Sequence, residues 1–424
     1  MNADLSRRRF LKTSALAAAG LMIVPRHVLG RGYTAPSDQL TLGVIGAGKQ
    51  SGGLTRNLMQ AGFRLLAVSD VDPQKIKRLQ QVAKGAKQAG DAAGYGDFRE
   101  LLAREDVNAV AIITPDHWHA VMAVAAMKAG KDVYCEKPLA LTIEEGRAMA
   151  QAARKYGRVF QTGSMQRSWR NFRQACELVR NGYLGDIQEI QVSISGPPVP
   201  YSLPEEPIKH ALDWDRWLGP SPAVAYNHLL APTVRQEKLF WPKWRDYKEF
   251  GGGGMTDWGA HMFDIAQWAL GMDESGPVEI LPPNGSEVPF LTYRYASGVR
   301  MTHQNFGRGW GVRFIGSKGT MDISREYFDP SDARLKDLDV PESGRLYRSS
   351  DHYADFVNAI RQRTKPICDV ETGHRTATVC TLGNIAYELK RPLRWDPAKE
   401  EFAGDAEANR MRGRAFRGEW SIAV

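Results

Sequence analysis

Short apolar runs alternate with segments of helical periodicity over the first half of the chain. The apolar runs predict buried strands at residues 40–45, 64–68, 107–113, 131–135 and 159–162. Helices are predicted between them, including residues 116–129 and 142–156. Strands that are apolar on both faces and alternate with helices are typical of a parallel sheet covered on both sides. The pattern predicts an α/β, doubly wound Rossmann dinucleotide-binding domain over residues 38–163.

Beyond residue 163 the strands change character, because apolar and polar residues alternate along them. A helix is predicted at residues 171–181, and later helices at residues 353–361 and 372–390. The alternating strands are predicted at residues 187–195, 278–280, 290–295, 300–305 and 311–316. Strands with one exposed face indicate an open, largely antiparallel sheet. Residues 164–424 are therefore expected to form an α+β domain.

An irregular segment, residues 197–254, separates the first of these strands from the others. It is too long for a plain connection, which indicates a functional or interface role. Its aromatic side chains suit two roles, stacking on sugar rings or packing in a core or interface. The aromatic residues in and just after this segment are Trp214, Trp217, Tyr226, Trp241, Trp244, Tyr247 and Trp258.

The chain opens with a basic motif, Ser6-Arg7-Arg8-Arg9-Phe10-Leu11-Lys12, followed by an apolar run at residues 13–24. This arrangement predicts a twin-arginine export signal within residues 1–30, and an ordinary amphipathic basic start is the alternative. The apolar run is too short to span a bilayer stably. Since the twin-arginine machinery carries folded proteins, we expect a periplasmic protein that is loaded with its cofactor before export.

Composition narrows the possible partners. The formal charge is +8, but residues 1–31 hold six basic residues and one acidic residue, which leaves +3 for the rest. So small a charge gives no reason to expect nucleic-acid or anionic-membrane binding. The four cysteines lack metal-type spacing, and no metal site is predicted. Cys368 and Cys380 could pair in an oxidising compartment, although isolated buried thiols are favoured.

A glycine-rich turn follows the first predicted strand, where a dinucleotide fold requires it. The turn reads Gly46-Ala47-Gly48-Lys49-Gln50-Ser51, with Ser51 where a third glycine is usual. Gly46 allows the tight turn, Gly48 admits the pyrophosphate, and the helix N-terminus favours its charge. Asp70 ends the second strand and suits the adenosine ribose, which favours NAD over NADP. Asp72, just before Pro73, is expected to cap the next helix.

Three further motifs follow predicted strands or lie on a predicted helix. The segment Thr114-Pro115-Asp116-His117-Trp118-His119 is placed at the cofactor edge, and Asp116 is also expected to cap a helix. Glu136-Lys137-Pro138 follows the next strand. Asp257 and His261 lie four residues apart, on one helical face. Oxidation of an alcohol needs a base for the hydroxyl proton and a cation for the alkoxide, which His261 and Lys137 could supply.

Together these motifs resemble the Gfo/Idh/MocA oxidoreductases. The resemblance implies that Lys137, Asp257 and His261 are catalytic and that sugars or polyols are substrates. It also implies that residues 164–424 serve substrate binding and oligomerisation, so that the protein is a homo-oligomer. It implies NAD as cofactor, bound by Gly46, Gly48, Lys49, Gln50, Ser51, Asp70, Thr114, Pro115, His117, His119, Glu136 and Lys137. The candidate substrate contacts are Gln166, Arg167, Tyr201, Trp241, Trp244, Asp257 and His261.

Three functions remain compatible with the sequence. The first is an exported oxidoreductase that transfers hydride to or from a saccharide or polyol hydroxyl, with tightly bound NAD recycled between two sugars. The second is a glycoside hydrolase that oxidises C3 transiently and eliminates the aglycone, for which Tyr201 or a nearby loop residue is a candidate base. The third is a saccharide-binding protein without catalysis, which the presence of Lys137, Asp257 and His261 disfavours.

Overall fold

A parallel sheet forms the first part of the computed structural model, which describes residues 39–85, 91–285 and 287–424. The strands of this sheet are β1 (Thr41–Ile45), β2 (Arg64–Ser69), β3 (Ala93–Tyr95), β4 (Ala109–Ile112), β5 (Asp132–Cys135) and β6 (Phe160–Thr162). Their spatial order is β3-β2-β1-β4-β5-β6. The accompanying helices are α1 (Ser51–Gln60), α2 (Pro73–Lys84), α3 (Phe98–Leu102), α4 (Asp116–Lys128) and α5 (Ile143–Lys155). The predicted Rossmann architecture is confirmed.

The strand order reverses direction between β1 and β4, which pair in parallel as neighbours. Such a reversal opens a crevice at the carboxyl ends of the strands, where ligands bind in open α/β sheets. Asp72 caps α2 as expected, because its Oδ1 accepts a hydrogen bond from the backbone N of Gln74 at 2.8 Å. Asp116 does not cap α4. Pro115 holds the cap position and Asp116 is the first helical residue, so that expectation was wrong.

A mixed, mostly antiparallel sheet forms the second part. Its strands are β7 (Ile187–Ser193), β8 (Glu279–Leu281), β9 (Leu291–Arg294), β10 (Arg300–His303), β11 (Gly311–Gly316), β12 (Gly319–Ile323), β13 (Phe328–Pro330), β14 (Leu393–Asp396) and β15 (Glu401–Phe402). Their order is β13-β12-β11-β7-β10-β9-β8-β14-β15, with β7 and β10 parallel. This arrangement confirms the predicted open α+β sheet.

Helices cover one face of this sheet. The helices of this part are α6 (Arg170–Arg180), α7 (Trp214–Leu218), α8 (Gly254–Asp257), α9 (Gly259–Leu270), α10 (His352–Gln362), α11 (Val370–Leu389) and α12 (Ala406–Arg410). Buried Phe172, Phe263 and Phe314 belong to the core shared by α6, α9 and the sheet. Since α9 packs on this core, its first turn, which directly follows α8, has a fixed position.

The irregular segment, residues 197–254, has a small core of its own. Trp217, Tyr226, Trp244 and Tyr247 are buried there, and Trp214 stacks on Trp217 at 4.7 Å between ring centroids. Of the two roles left open for these aromatic residues, core packing therefore holds for most. Trp241 differs, because half of its surface is exposed.

All four cysteines are buried and free, so Cys368 and Cys380 do not pair in this structure. The predicted export signal, residues 1–30, lies outside the described residues. Among the helices that the structure describes, none combines the length and apolarity needed to cross a bilayer.

Candidate active site

A cavity of about 700 Å³ opens at the carboxyl edge of the parallel sheet. It runs from the glycine-rich turn after β1 to the junction of α8 and α9. Thirteen of the predicted site residues line it: Gly46, Gly48, Lys49, Gln50, Asp70, Thr114, Pro115, Glu136, Lys137, Trp241, Trp244, Asp257 and His261. The sequence motifs therefore converge on one space, although they are distant along the chain.

The glycine-rich turn is shaped to receive a dinucleotide. Gly46 has a φ of +92°, and a Cβ there would lie 2.5 Å from the carbonyl oxygen of Ile113. At Gly48 a Cβ would meet nothing nearer than 3.8 Å, so the main chain is open to an approaching phosphate. No side chain caps the start of α1; Ser51 N bonds to the carbonyl oxygen of Gly48 at 3.1 Å, and the amides of Gly52 and Gly53 can serve a ligand. Asp70 Oδ2 accepts from Ala47 N at 2.6 Å, which fixes the carboxylate beside the turn.

Ser51, in the third position of the motif, supports the turn from behind. Its hydroxyl donates to the carbonyl oxygen of Gly48 at 2.7 Å, and the residue is fully buried. It does not line the cavity. A serine therefore fits here without loosening the turn, because its hydroxyl joins the helix start to the loop.

Part of the irregular segment lies against the glycine-rich turn. Lys49 Nζ donates to the carbonyl oxygen of Phe240 at 3.2 Å and lies 4.8 Å from the ring centroid of Trp241. Glu237 is buried and pairs with Lys75 at 2.8 Å and with Arg78. Through these contacts the irregular segment closes the cavity at the end formed by the glycine-rich turn.

Lys137 and Asp257 form the centre of the other end of the cavity. Lys137 Nζ donates to Asp257 Oδ1 at 2.6 Å and to the Asp257 carbonyl oxygen at 2.8 Å. That carbonyl is available because the helix is interrupted at Trp258, and His261 N bonds to Trp258 instead. The single helical face expected for Asp257 and His261 is therefore broken between them, yet both side chains reach the cavity.

Two cations hold Asp257 in its ionised form. Burial alone would raise the pKa of Asp257, but Lys137 and Arg245 outweigh it and bring the pKa below its usual value. Arg245 Nε lies 3.5 Å from Asp257 Oδ1, and its guanidinium stacks over Trp244 at 4.1 Å. The carboxylate therefore orients the ammonium group of Lys137, which keeps one hydrogen for another acceptor.

His261 is buried at the wall of the cavity, with 5% of its surface exposed. Burial lowers the pKa of His261 well below its usual value, and the charges of Lys137 and Arg325 lower it further. Its Nδ1 is buried without a hydrogen-bond partner among the described residues. A neutral imidazole is an acceptor for a hydroxyl proton, so this ring can serve as a general base.

Two further carboxyl groups line the cavity near this pair. Burial raises the pKa of Asp116 well above its usual value, and the charge of Asp257 adds to the effect. Burial also raises the pKa of Glu136, although Lys137 opposes the shift. Asp116 was expected both to cap a helix and to lie at the cofactor edge, and the structure places it at the cavity.

The two halves of the chain match two models of one family. Residues 40–164 match the model described as an oxidoreductase family NAD-binding Rossmann fold. Residues 199–422 match the model described as an oxidoreductase family C-terminal alpha/beta domain. The chain belongs to the Gfo/Idh/MocA oxidoreductases. The resemblance seen in the motifs is thereby confirmed, and with it NAD as the cofactor that this family binds.

Three similar proteins illustrate the range of this family. A glycosyl hydrolase family 109 protein of Shewanella pealeana is 30% identical over 205 residues, or 43% of this chain and 44% of that protein. The uncharacterized oxidoreductase YrbE of Bacillus subtilis is 28% identical over 379 residues, or 84% of this chain and 97% of that protein. The aldose-aldose oxidoreductase of Caulobacter crescentus has a TM-score of 0.58 at 19% identity, covering 84% and 99% of the two chains. This likeness shows a shared fold.

Two histidines predicted to contact the cofactor lie away from the cavity of this Gfo/Idh/MocA protein. His117 is buried, with Nε2 3.0 Å from the carbonyl oxygen of Trp217, and burial lowers its pKa to about 3. His119 has its ring nitrogens 2.9 Å from the carbonyl oxygen of Pro138 and 3.0 Å from that of Thr114. Burial lowers the pKa of His119 to about 4. Both rings join segments that carry site residues, but neither lines the cavity.

Three predicted substrate contacts also lie outside the cavity lining. Arg167 is buried between Asp264 and Asp273, at 2.8 and 2.7 Å, and stabilises the core. Tyr201 donates its hydroxyl to the carbonyl oxygen of Ala225 at 2.8 Å, within the core of the irregular segment. Gln166 is buried behind the cavity wall, where its Nε2 donates to the carbonyl oxygen of His261 at 3.3 Å and its Oε1 accepts from Arg325.

Sequence reasoning missed several residues of the cavity wall. Glu237, Arg245, Trp310 and Arg325 line it, and all four come from irregular segments or loops. No motif marks them, because only the folded chain brings these loops to the sheet edge. Within the described ranges, no cluster of three or more histidine, cysteine or acidic side chains is arranged to hold a metal ion.

Proposed function

We propose that this protein transfers a hydride between NAD and a hydroxyl-bearing carbon of a sugar or polyol. One observation carries the proposal. Lys137, Asp257 and His261 line the same cavity as the glycine-rich turn. An ammonium group, a carboxylate that orients it and a neutral imidazole are the groups that alcohol oxidation requires.

Each residue has a definite task in this scheme. His261 accepts the hydroxyl proton of the substrate, and its low pKa requires that this proton leave again quickly. Lys137 donates its remaining hydrogen to the same oxygen and stabilises the negative charge that develops there. Asp257 holds the ammonium group in place through the 2.6 Å contact. Bound NAD supplies the acceptor for the hydride that leaves the carbon.

We also propose that the cofactor stays bound and is recycled, so that the reaction is redox-neutral. The contacts of Lys49 with Phe240 and Trp241 and those of Glu237 with Lys75 support this, since they place a second segment over the turn. We place the protein in the periplasm, to which the twin-arginine motif would direct it. Retention of NAD matters there, because free NAD is not supplied outside the cytoplasm. The hydride would pass from a donor sugar to NAD and then to an acceptor sugar.

Cleavage of a glycoside is the second candidate, and the similarity to the glycosyl hydrolase of Shewanella pealeana favours it. There the sugar is oxidised at C3, the proton at C2 is lost, and the bond to the aglycone breaks. Water would then add across the resulting C1–C2 double bond, with its hydroxyl on C1 and its proton on C2. Return of the hydride to C3 would restore the cofactor and release the free sugar. Release of nitrophenol from a nitrophenyl glycoside without added NAD distinguishes this route from a two-sugar shuttle. A non-catalytic saccharide-binding protein would show neither reaction.

The deciding experiment measures nicotinamide nucleotide released when the purified protein is unfolded in acid. About one NAD per chain supports a retained cofactor, and an empty protein contradicts retention. The protein is then mixed with sugars and polyols while absorbance of reduced nicotinamide is followed. Reduction that is lost in Lys137→Ala supports the catalytic assignment, whereas undiminished turnover in that variant contradicts it.

The cellular and quaternary parts of the proposal have separate tests. Fractionation of cells that express the protein with residues 1–30 intact, or with Arg8 replaced by lysine, tests export by the twin-arginine route. We expect the intact protein in the periplasm and the variant inside the cell. Light scattering during gel filtration tests the expected homo-oligomer, and a monomeric mass would contradict it.

A further inference from the structure

Arg325 occupies an unusual position at the catalytic end of the cavity. It lies in the connection between β12 and β13 and lines the cavity beside His261 and Trp258. Its Nε donates to Gln166 Oε1 at 2.8 Å. The guanidinium lies 4.6 Å from the ring centroid of Trp258 and 5.5 Å from that of Trp169. One hydrogen bond and two aromatic faces therefore fix this side chain in place.

The guanidinium of Arg325 has no carboxylate partner among the described residues. Of its five N–H donors, only the one on Nε has a hydrogen-bond acceptor there. Arg167 shows the contrast, because its guanidinium is paired with two carboxylates, those of Asp264 and Asp273. A side chain that is fixed in place but keeps four donors free is prepared to bind an acceptor from outside the chain.

The charges around this position favour an anion as that acceptor. Lys137, Arg245 and Arg325 bring three positive charges to the catalytic end, where Asp257 is the carboxylate held ionised. Burial raises the pKa values of Asp116 and Glu136, which favours their neutral forms. The oxidised nicotinamide ring of NAD would add another positive charge. A negative group on the substrate would compensate this excess.

The walls beside Arg325 suit a sugar ring. Trp310 packs on Trp258 with ring centroids 4.1 Å apart, and 45% of Trp310 is exposed although it is a large apolar residue. Both rings line the cavity. An exposed indole next to a free guanidinium offers an apolar face for the ring carbons and two parallel N–H donors for a planar acid.

We propose that Arg325 binds the carboxylate of an acidic saccharide, so that the substrate class is the uronic acids and their glycosides. The inference rests on the proposed function and specifies its substrate. A planar carboxylate accepts two parallel N–H groups of one guanidinium at once, and a phosphate, which the same donors also fit, is an outcome that the test distinguishes. Neutral sugars, whose hydroxyl groups carry no charge, would leave the excess of positive charge uncompensated.

The test compares sugars that differ only at C6. Holoprotein is titrated at low ionic strength with the methyl glycosides of glucuronate and galacturonate and with those of glucose and galactose. Binding is followed by tryptophan fluorescence, to which Trp258 and Trp310 contribute. We expect at least one uronate to bind about 10-fold to 100-fold more tightly than its neutral partner. Arg325→Gln should abolish that difference, and Arg325→Lys should restore part of it.

Arg334→Gln is the matched control, because Arg334 is 90% exposed and pairs only with Asp332 within the described chain. It should bind the uronate like the wild type. Equal affinity of the wild type for uronates and neutral sugars would overturn the inference. An equal loss of affinity for uronates and neutral sugars in Arg325→Gln would also overturn it. Tighter binding of glucose 6-phosphate than of any uronate would also overturn it, in favour of a phosphate site.

Reduction of the bound nicotinamide, measured on the same samples, separates this inference from the proposed function. Binding of uronate that depends on Arg325, without reduction by any sugar, would support the acid site and contradict the oxidoreductase. Reduction by neutral sugars that is indifferent to Arg325 would support the oxidoreductase and contradict the acid site.

Discussion

His352 provides a quantitative test of how burial controls ionisation behind the active site. It is 4% exposed at the start of α10, between the rings of Tyr134 and Tyr353 at 5.7 and 5.5 Å. Both ring nitrogens lack a hydrogen-bond partner among the described residues. Burial lowers the pKa of His352 to about 4. The folded protein therefore keeps this ring neutral at a pH where the unfolded chain would protonate it.

The sign and size of the effect follow from this difference in pKa. An unfolded histidine has a pKa of about 6.5, so the unfolded state binds more protons than the folded state below that pH. Well above pH 6.5 His352 imposes almost no penalty on folding, and the penalty grows as the pH falls toward the folded pKa of about 4. With these two values the linkage relation gives a loss of about 2 kcal/mol at pH 5.

Replacing His352 by phenylalanine removes the titration while keeping an aromatic ring in the same space. We expect the free energy of unfolding of His352→Phe, relative to wild type, to rise by about 2 kcal/mol between pH 7.5 and pH 5. Urea unfolding of both holoproteins at the two pH values measures this difference. Phe356→Leu is a neighbouring substitution that removes no titratable group. Its effect on the free energy of unfolding should be the same at pH 7.5 and at pH 5. A His352→Phe difference that does not change with pH would refute the reasoning.

Three further predictions concern the site itself. Gly46→Ala should destabilise the fold by about 1–3 kcal/mol, since φ is +92° there. Gly48→Ala should lower NAD content without lowering the melting temperature of the cofactor-free protein. His261→Ala should slow hydride transfer by about 10²-fold to 10⁴-fold, and a near-normal rate would place the base elsewhere. Asp257→Asn leaves its carbonyl bonded to Lys137, so single-turnover measurements should show a slower step, by about 10-fold or more, at unchanged NAD content.

The sequence specified the nucleotide-binding half well because its signals are local. Continuous apolar strands, a glycine turn and an acid at the end of β2 lie within 30 residues of each other. Several short strands escaped prediction, among them β12, which forms a tight hairpin with β11, and β14, which pairs with β8, a strand distant in the sequence. Their sequences carry little periodicity of their own.

Errors within the site have a similar origin. On α4, Asp116 reaches the cavity and His117 does not, because successive helical residues point about 100° apart. A sequence motif does not show which of its side chains face the cavity, because the position of the cavity is known only from the fold. Arg167 and Arg325 present the same ambiguity, since only the fold shows that the first has two acidic partners and that the second has none in the part of the chain that the structure describes.

The interruption of the helix at Trp258 has a consequence for protein engineering. Lys137 donates to the main-chain carbonyl oxygen of Asp257. In a continuous helix that oxygen would instead accept a hydrogen bond from the backbone N of His261. Grafting a lysine, an aspartate and a histidine onto an uninterrupted helical scaffold would therefore reproduce the side chains but not this acceptor. A designer who wishes to transplant this chemistry must also copy the backbone defect.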